Sequence, residues 1–416
     1  MSDWLSYRLD ECADILDHLR IPVNEEERSK NVGNTPYYGA NGLQGFINGW
    51  LFDEPLILMA EDGGYFDEYS TRPVAYRISG KSWVNNHAHI LRPKKMFSFD
   101  YIFYSLQHKN ITPFIKGGTR AKLNQKELRE IVILVPQNKA RQNRIAEILK
   151  AVDEAIEKTE TLINKYQQIK AGVMHDLFTR GISADGKLRL SKEQAPELYQ
   201  ETPSGWIPKD WESGLLERFV RSAEYGISTS LSDAEIGIPI LRMNNIQSNA
   251  FDVSDLKYTE NPEAYRLKLK FGDVLYNRTN SMEHVGKTAI WKDELVQCSF
   301  ASYLVRINLH NDILLPEYFS LWMSQTSTQL VLRRYATPAV QQVNINPTNL
   351  QKIWISFPSN QEEQVLIVSR INKIDERLKK EAEKLKKLNQ QKSGLMHDLL
   401  TGEVPVKLDE TEVMHV

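Results

Sequence analysis

The stretch KAGVMHDLFT at 170–179 returns as KSGLMHDLLT at 392–401, displaced by 222 residues (397 − 175 = 222). The displacement holds backwards through the preceding segment without a gap. Pro136 falls on Pro358, Asn138 on Asn360, Gln142 on Gln364, Ile145 on Ile367, Asp153 on Asp375 and Glu154 on Glu376. Further upstream, KLNQKELREIVILVP (122–136) still lies on NINPTNLQKIWISFP (344–358). One structural unit, ending in a strand and a long helix, is used twice.

The helix in that unit carries a heptad seam. Stepping by seven gives Ile145, Val152, Thr159, Tyr166 and Val173, with Leu149, Ile156, Ile163, Lys170 and Leu177 as the second row. The second copy gives Ile367, Ile374, Glu381, Leu388 and Leu395, with Ile371, Leu378, Leu385, Lys392 and Leu399. Such a pattern predicts two helices that cover each other along an a/d seam. Polar residues interrupt it at matching places, Thr159 with Glu381 and Lys170 with Lys392, and polar seam positions fix register at a cost in stability. The plain alternative is two amphipathic helices packing separately. Against it, a helix of about 38 residues at 1.5 Å each is roughly 57 Å long, more than one small domain covers.

Around the helices the chain predicts an α+β fold of two globular domains alternating with the two long helices. The expected boundaries are 1–135 for the first domain, 136–182 for the first helix and 183–204 for a linker. The second domain is expected at 205–357, the second helix at 358–405 and a C-terminal tail at 406–416. LFDEPLILMA (51–60) reads as a buried strand, PVAYRISG (73–80) and WVNNHAHILRP (83–93) as further strands, and FDYIFYSLQHK (99–109) as a short amphipathic helix. The second domain repeats that order with different loops: IPILRMNNIQ (238–247), FGDVLYNRTNS (271–281), GKTAIW (286–291), ASYLVRINL (301–309) and PEYFSLWMSQ (316–325). Trp211 and Leu216 echo Trp4 and Leu9.

Composition narrows the function. The 416 residues carry a formal net charge of −2, with 25% charged, a near-neutral balance that argues weakly against a chain that coats nucleic acid and leaves room for local basic faces. Two cysteines, Cys12 and Cys298, make no disulfide framework, and neither a signal-like N-terminus nor an 18-residue apolar run is present. A cytoplasmic location is the expectation. Charge is nevertheless uneven. From Lys81 to Arg129 the basic residues Lys81, Arg92, Lys94, Lys95, Lys109, Lys116, Arg120, Lys122, Lys126 and Arg129 face only Asp100 and Glu127. Asn85, Asn86, His87, His89 and Asn124 are interleaved with them, which suits phosphate contact with amide donors reaching base edges. LRRYATPAVQQVNIN (332–346) is again basic and amide-rich.

Several fragments resemble catalytic motifs and do not complete them. Val285-Gly286-Lys287-Thr288 lacks the first glycine of a phosphate-binding loop and runs into a strand. His87 and His89, and the pairs His175-Asp176 and His397-Asp398, have no second cluster of ligands in the sequence around them. No metal is expected, and the chain is read as non-catalytic.

Two divergent globular domains, each followed by a near-identical helix ending in (V/L)MHDL, resemble the specificity (S) subunit of type I restriction–modification enzymes. KAGVMHDLFTRG (170–181), KSGLMHDLLTGEV (392–404), the paired LN/IN…L…I…P segments and PYYGANGLQGFI (36–47) carry the resemblance. It implies target recognition domains that each read half of a split, asymmetric site in double-stranded DNA. It also implies that the helices pair as an antiparallel coiled-coil spacer and dock two methyltransferase (M) subunits. The M subunits would hold S-adenosylmethionine and methylate adenine, restriction (R) subunits would add ATP and magnesium-dependent cleavage, and this chain would bind no cofactor of its own. A coiled-coil adaptor, or an S-like subunit of another methylation-based defence system, is the alternative.

Carried onto this sequence, DNA contacts are expected from Tyr38, Asn41, Gln44, Asp62, Asn86, His87, Lys95, Arg120 and Lys122 in the first domain. In the second they are expected from Arg242, Asn244, Asn277, Arg278, Asn280, Ser302, Arg333, Gln342 and Asn344. Arg278 suits a bidentate base contact and Lys95 a phosphate contact. The duplicated Met174, His175, Asp176, Leu177 and Met396, His397, Asp398, Leu399 are expected to bind the partner subunits.

Overall fold

The computed structural model describes residues 3–117 and 121–408. Two compact units divide them. One contains the chain up to Thr161 together with the residues from Ala382 onward, and the other runs Leu162–Glu381. The division falls inside both long helices, Lys139–Thr179 and Gln361–Thr401, so each unit holds the first half of one helix and the second half of the other. The expected domain boundaries at the helix starts therefore mark changes of secondary structure, and the packing units cut across them.

In the first unit a four-stranded sheet runs in the order Ala13–Ile15, Ala88–Pro93, Leu56–Ala60, Ala75–Ile78. In the second the order is Val220–Tyr225, Leu304–Leu309, Val274–Asn277, Thr288–Ile290. Each strand of one list occupies the same rank in the chain as its counterpart. Each unit also has a short parallel pair, Tyr37 beside Trp83 in the first and Ile240 beside Ser299 in the second. The strand before each long helix pairs antiparallel with the strand opening its domain. Trp4 lies opposite Pro136, and Trp211 opposite Pro358. The echo of Trp4 and Leu9 in Trp211 and Leu216 is this shared pairing, since the Leu9 amide donates to Ile131 O (2.8 Å) and that of Leu216 to Ile353 O (2.9 Å).

A buried glutamine ties helix to sheet in each unit. Gln142 accepts from the Ser98 amide (2.8 Å), at the N-terminus of helix Phe99–Gln107, and donates to Pro136 O (2.8 Å). Gln364 accepts from the Leu315 amide (2.9 Å), at the N-terminus of helix Pro316–Ser324, and donates to Pro358 O (2.9 Å) and Ile313 O (2.8 Å). The short helix is held again by its tyrosine, with Tyr101 Oη donating to Leu134 O and Tyr318 Oη to Ser356 O.

The seam positions of the long helices are the covered ones. Ile145, Leu149 and Thr159 are buried, as are Ile367 and Ile371, while Val152, Ile156, Ile163, Tyr166, Ile374, Leu378, Leu385 and Leu388 are half-buried. The lysines that interrupt the seam find acids on the other helix. In the first unit Lys392 pairs with Asp153 (2.7 Å), and in the second Lys170 pairs with Asp375 (2.5 Å). These partially exposed pairs fix register more than they add stability.

The core of the first unit joins Leu9, Met59, Tyr101, Ile133 and Leu149 to Leu399, with Leu395 and Met396 packed against it. That of the second joins Leu216, Tyr276, Tyr318 and Ile355 to Met174, Leu177, Ile367 and Ile371. Each helix therefore ends against the domain that its own strand does not open. Gly181 (φ +67°) ends the first helix where a Cβ would stand 2.6 Å from the Trp211 ring. Gly402 (φ +76°) ends the second, where it would stand 2.8 Å from Trp4. Left-handed backbone and lack of room both require glycine there.

The segment expected as a linker is largely folded. Tyr199–Thr202 and Gly205–Pro208 form a hairpin, and Arg189 holds Glu363 with two hydrogen bonds (2.5 and 2.8 Å) beside Asp210 (2.6 Å). Glu363 also accepts from the Ile182 amide and Trp211 Nε1. Its register counterpart is Arg141, which lies near Asp3, so this clasp has no duplicate. No described helix is long and apolar enough to cross a membrane.

Replacing Gln142 or Gln364 with leucine would leave a buried amide and at least one buried carbonyl without partners, each costing about 1–3 kcal/mol. Each variant is expected to lose about 2–5 kcal/mol in urea unfolding.

Candidate nucleic-acid interface

In the first unit the expected residues converge through Asn85. Its amide nitrogen donates to Tyr38 O (3.0 Å), its side chain donates to Gln44 Oε1 (3.0 Å), and its Oδ1 accepts from the His87 amide (2.8 Å). His87 Nδ1 lies 2.7 Å from Asp62 Oδ1, and Asn41 Nδ2 donates to Gly63 O (2.9 Å). Asn86 is exposed at the turn between them. Lys122 reaches Glu61 Oε1 (2.9 Å) from the next strand edge. Tyr38, Asn41, Gln44, Asp62, Asn86, His87 and Lys122 thus share one edge of the domain.

Lys95 stands apart. It lies beyond Pro93 at the far end of strand Ala88–Pro93 from His87, where its carbonyl accepts from Lys139 Nζ. Six strand residues at about 3.3 Å each put roughly 20 Å between the two ends. The basic run from 81 to 129 is one patch in sequence and at least two places in space. Arg120 lies outside the described residues.

Behind this edge is a buried ionic network. His89 faces Asp17 Oδ2 (2.6 Å) with Nδ1 and the Leu123 carbonyl (2.7 Å) with Nε2; both are acceptors, so both ring nitrogens donate. Asp17 also accepts from the Ile90 amide (3.0 Å) and Gln125 Nε2 (3.1 Å). Burial pushes the Asp17 carboxyl up, but its bonds to His89 and Ile90 and the nearby Arg20 charge outweigh that and hold it below its ordinary value. Glu61, bound by Arg20 Nη1 (2.6 Å) and Lys122, is likewise lowered against the burial that opposes it. Asp17, Glu61 and His89 come together closely enough to suggest a cation site. Arg20 and Lys122 already supply the positive charge there, so the cluster reads as an ion-pair network.

In the second unit several of the expected residues also meet. Strand Thr279–Asn280 pairs with Gln342–Asn344, which pairs with Thr337–Ala339. The Arg278 carbonyl accepts from the Ile345 amide (2.8 Å), and the Arg278 amide donates to Tyr303 O (2.9 Å), next to Ser302. Arg278 lays its guanidinium 5.0 Å from the centre of the Tyr225 ring, a cation–π contact. Arg333 Nη2 donates to Glu283 O (3.2 Å). Arg242 (2.8 Å) and Asn244 (3.3 Å) both bind Asp255, which occupies part of their hydrogen-bonding capacity. Asn277 is fully buried, with Oδ1 accepting from the Thr279 amide (3.2 Å), so it supports its neighbours from beneath.

This cluster holds polar atoms without partners: Asn277 Nδ2, Thr279 Oγ1, Asn344 Oδ1, and the Nε atoms of Arg242, Arg278 and Arg333. Buried polar atoms are normally satisfied, and six of the twelve unsatisfied ones among the described residues belong to this region. Tyr225 and Tyr303 were not among the expected residues. Tyr303 stands 47% exposed, and the SYL triplet that carries it reads only as strand.

The (V/L)MHDL residues divide. Met174, Leu177 and Leu399 are buried in the unit cores, which corrects the expectation for these three, while Met396 packs against one core and stays half-buried. A residue that fills a core has no surface left to offer. His175 and His397 are exposed, with Asp176 and Asp398 half-exposed beside them.

A sequence model of the family described as type I restriction modification DNA specificity domain matches residues 1–168 and 208–390. A putative type I restriction enzyme specificity subunit from Haemophilus influenzae is 36% identical over 145 residues, which is 35% of this chain and 36% of that protein. The putative MjaX specificity subunit of Methanocaldococcus jannaschii is 30% identical over 211 residues, 49% of each chain. The matched stretches thus span half or less of these two relatives. The crystal structure of a type I restriction–modification S subunit from M. genitalium shares the fold, with a TM-score of 0.61 at 15% identity over 97% of both chains. A structure reported on the complex assembly and conformational transition of the type I restriction–modification system aligns with a TM-score of 0.52 at 13% identity, over 97% of this chain and 99% of that one.

The ionic network behind the first edge gives a pH-dependent expectation. The folded Asp17 pKa lies below its ordinary 3.8, so its stabilisation is complete above that value and is lost as pH falls through the folded pKa. Asp17→Asn should cost roughly 3 kcal/mol at neutral pH, as for breaking a buried ion pair. Melting curves of variant and parent should draw together in strongly acidic buffer, where the parent carboxyl is protonated as well.

Proposed function

Because the chain belongs to the type I restriction–modification DNA specificity family, we propose that it is the sequence-reading subunit of such a complex, recognising a bipartite, asymmetric duplex site with one half-site per unit. The observation that carries this reading is one sheet-and-helix frame built twice, bearing two different polar edges. The first edge presents amides and a His–Asp pair around Asn85. The second presents Arg278, Asn280, Ser302, Arg333, Gln342 and Asn344 above unsatisfied groups. A constant frame with divergent edges is what reading two unrelated half-sites requires, since base contacts specify while the frame positions.

The two long helices act as an antiparallel coiled-coil spacer. The Asp153–Lys392 and Lys170–Asp375 pairs support this, each joining the early part of one helix to the late part of the other. The exposed His175, Asp176, His397 and Asp398, at matching places, offer two equivalent docking points for methyltransferase subunits. Those subunits hold S-adenosylmethionine and carry out adenine methylation, and restriction subunits with ATP and magnesium complete the complex. The chain itself contributes recognition and geometry, and does so in the cytoplasm with the DNA.

Methylome sequencing of host cells with and without the gene tests the function: a single split adenine motif should be methylated in one and unmethylated in the other. An unchanged methylome would refute it. The spacer has its own test. Removing 160–166 and 382–388 takes one heptad from each helix, keeps the seam in phase and retains both Asp–Lys pairs. The rod shortens by about 10 Å (7 × 1.5 Å), or about three base pairs at 3.4 Å each. The methylated half-sites should keep their sequences while the gap between them shrinks, and a variant that still methylates at the original gap would show that the helices are not the ruler.

A further inference from the structure

The hairpin Thr337–Ala339 and Gln342–Asn344 in the second unit turns on two residues, Val340 and Gln341. Neither is what the turn wants. Gln341 has φ +59°, a left-handed conformation that suits Gly, Asn or Asp at a two-residue tip. Val340 is 94% exposed, so its branched apolar side chain gains nothing from burial. Local rules broken without a folding benefit collect at functional positions.

The base of the hairpin points the same way. Its inner strand packs Val343 against the apolar core and pairs with Thr279–Asn280, so that the unpartnered Asn344 Oδ1 of the strand lies beside the unpartnered Thr279 Oγ1, two residues from Asn277 with its unpartnered Nδ2. Arg333, on the helix Thr326–Arg333 that leads into the hairpin, also has an unpartnered Nε. A two-stranded ribbon with cations and amides at its root and an apolar–amide tip has the dimensions and chemistry to enter a major groove.

We propose that this hairpin enters the major groove of the second half-site and that Val340 and Gln341 together read an A·T base pair. The Gln341 amide donates to adenine N7 and accepts from adenine N6, the bidentate pairing that glutamine makes with no other base. Val340 lies against the thymine methyl, which projects into the same groove from the same base pair. No other exposed residue of the tip competes for these edges, because the turn contains only these two. The proposal rests on the chain being a DNA specificity subunit and assigns to that reading one element and one kind of base pair.

The test replaces the chromosomal gene in its host with Gln341→Gly, Val340→Ala and the double variant. Glycine accepts φ +59° freely, so Gln341→Gly removes the amide without straining the turn. Methylome sequencing should show the split motif intact except at one A·T position of one half-site, where a preference on the order of ten- to a hundred-fold relaxes towards degeneracy. With the intact complex purified from the host, replacing that thymine by deoxyuridine removes its methyl group. Binding should weaken several-fold for the parent and not change for Val340→Ala. A double variant that keeps the full motif, or loses methylation evenly at every site, overturns the hairpin as a base reader. If deleting the gene leaves the methylome as it was, the DNA-reading function has failed, a result separable from failure of the hairpin alone.

Discussion

Gln142 and Gln364 each satisfy, with one amide, the N-terminus of a short helix and the last carbonyl of the strand that precedes the long helix. Most of the architecture depends on that contact. It occurs at the fourth residue of a helix that runs for 41 residues, so it sets the direction in which the helix leaves its sheet. An apolar residue in its place would fill the volume but leave the backbone groups stranded, and stranded buried polar groups cost more than a typical net hydrogen bond gains. The amide is a joint as well as a core residue.

What the joint directs is an exchange. Each helix starts on its own domain and ends in the core of the other unit, where Met174 and Leu177, or Leu399, pack beside residues from distant parts of the chain. The near-identity of the two (V/L)MHDL ends then has a packing explanation, because both must fit the same frame. It also has a kinetic consequence. The first unit contains the beginning and the end of the chain, so its core closes only after a loop of more than two hundred residues is brought together, and non-local closure of that kind slows folding.

The two polar edges differ in how they are supported. The first rests on Asp17, Glu61, His89, Arg20 and Lys122, a largely buried network in which each carboxylate is held by charged or N–H partners. The second rests on Arg278 against Tyr225 and on buried groups without partners. A fully partnered network is rigid, because moving one member leaves another's charge without its partner in an apolar surround. Unpartnered groups are held only by the packing around them, and a ligand that supplies the missing hydrogen bonds gains their full desolvation energy. The same frame therefore carries one edge held by a partnered ionic network and one that contains buried polar groups without partners.

The sequence alone determined the repeat, the order of strands and helices in each copy, the heptad seam and the family. All of these follow from local periodicity and from a displacement that can be counted. It also named by residue type several polar side chains that the structure brings together, Asp62 with His87 among them. What it could not determine is which of them meet. Lys95 and His87 are neighbours in a basic run, yet a strand is straight, and opposite ends of one strand face different places. Asn85 and Tyr225 organise their surroundings through contacts to residues far away in the chain, which no local pattern records. The folded linker depends on Arg189 finding Glu363, 174 positions away. The helix ends looked like surface motifs because polar His and Asp sit among their Met and Leu. Only the tertiary structure, by placing a second domain over one side of each helix, decided that the apolar residues are core and the polar ones face out.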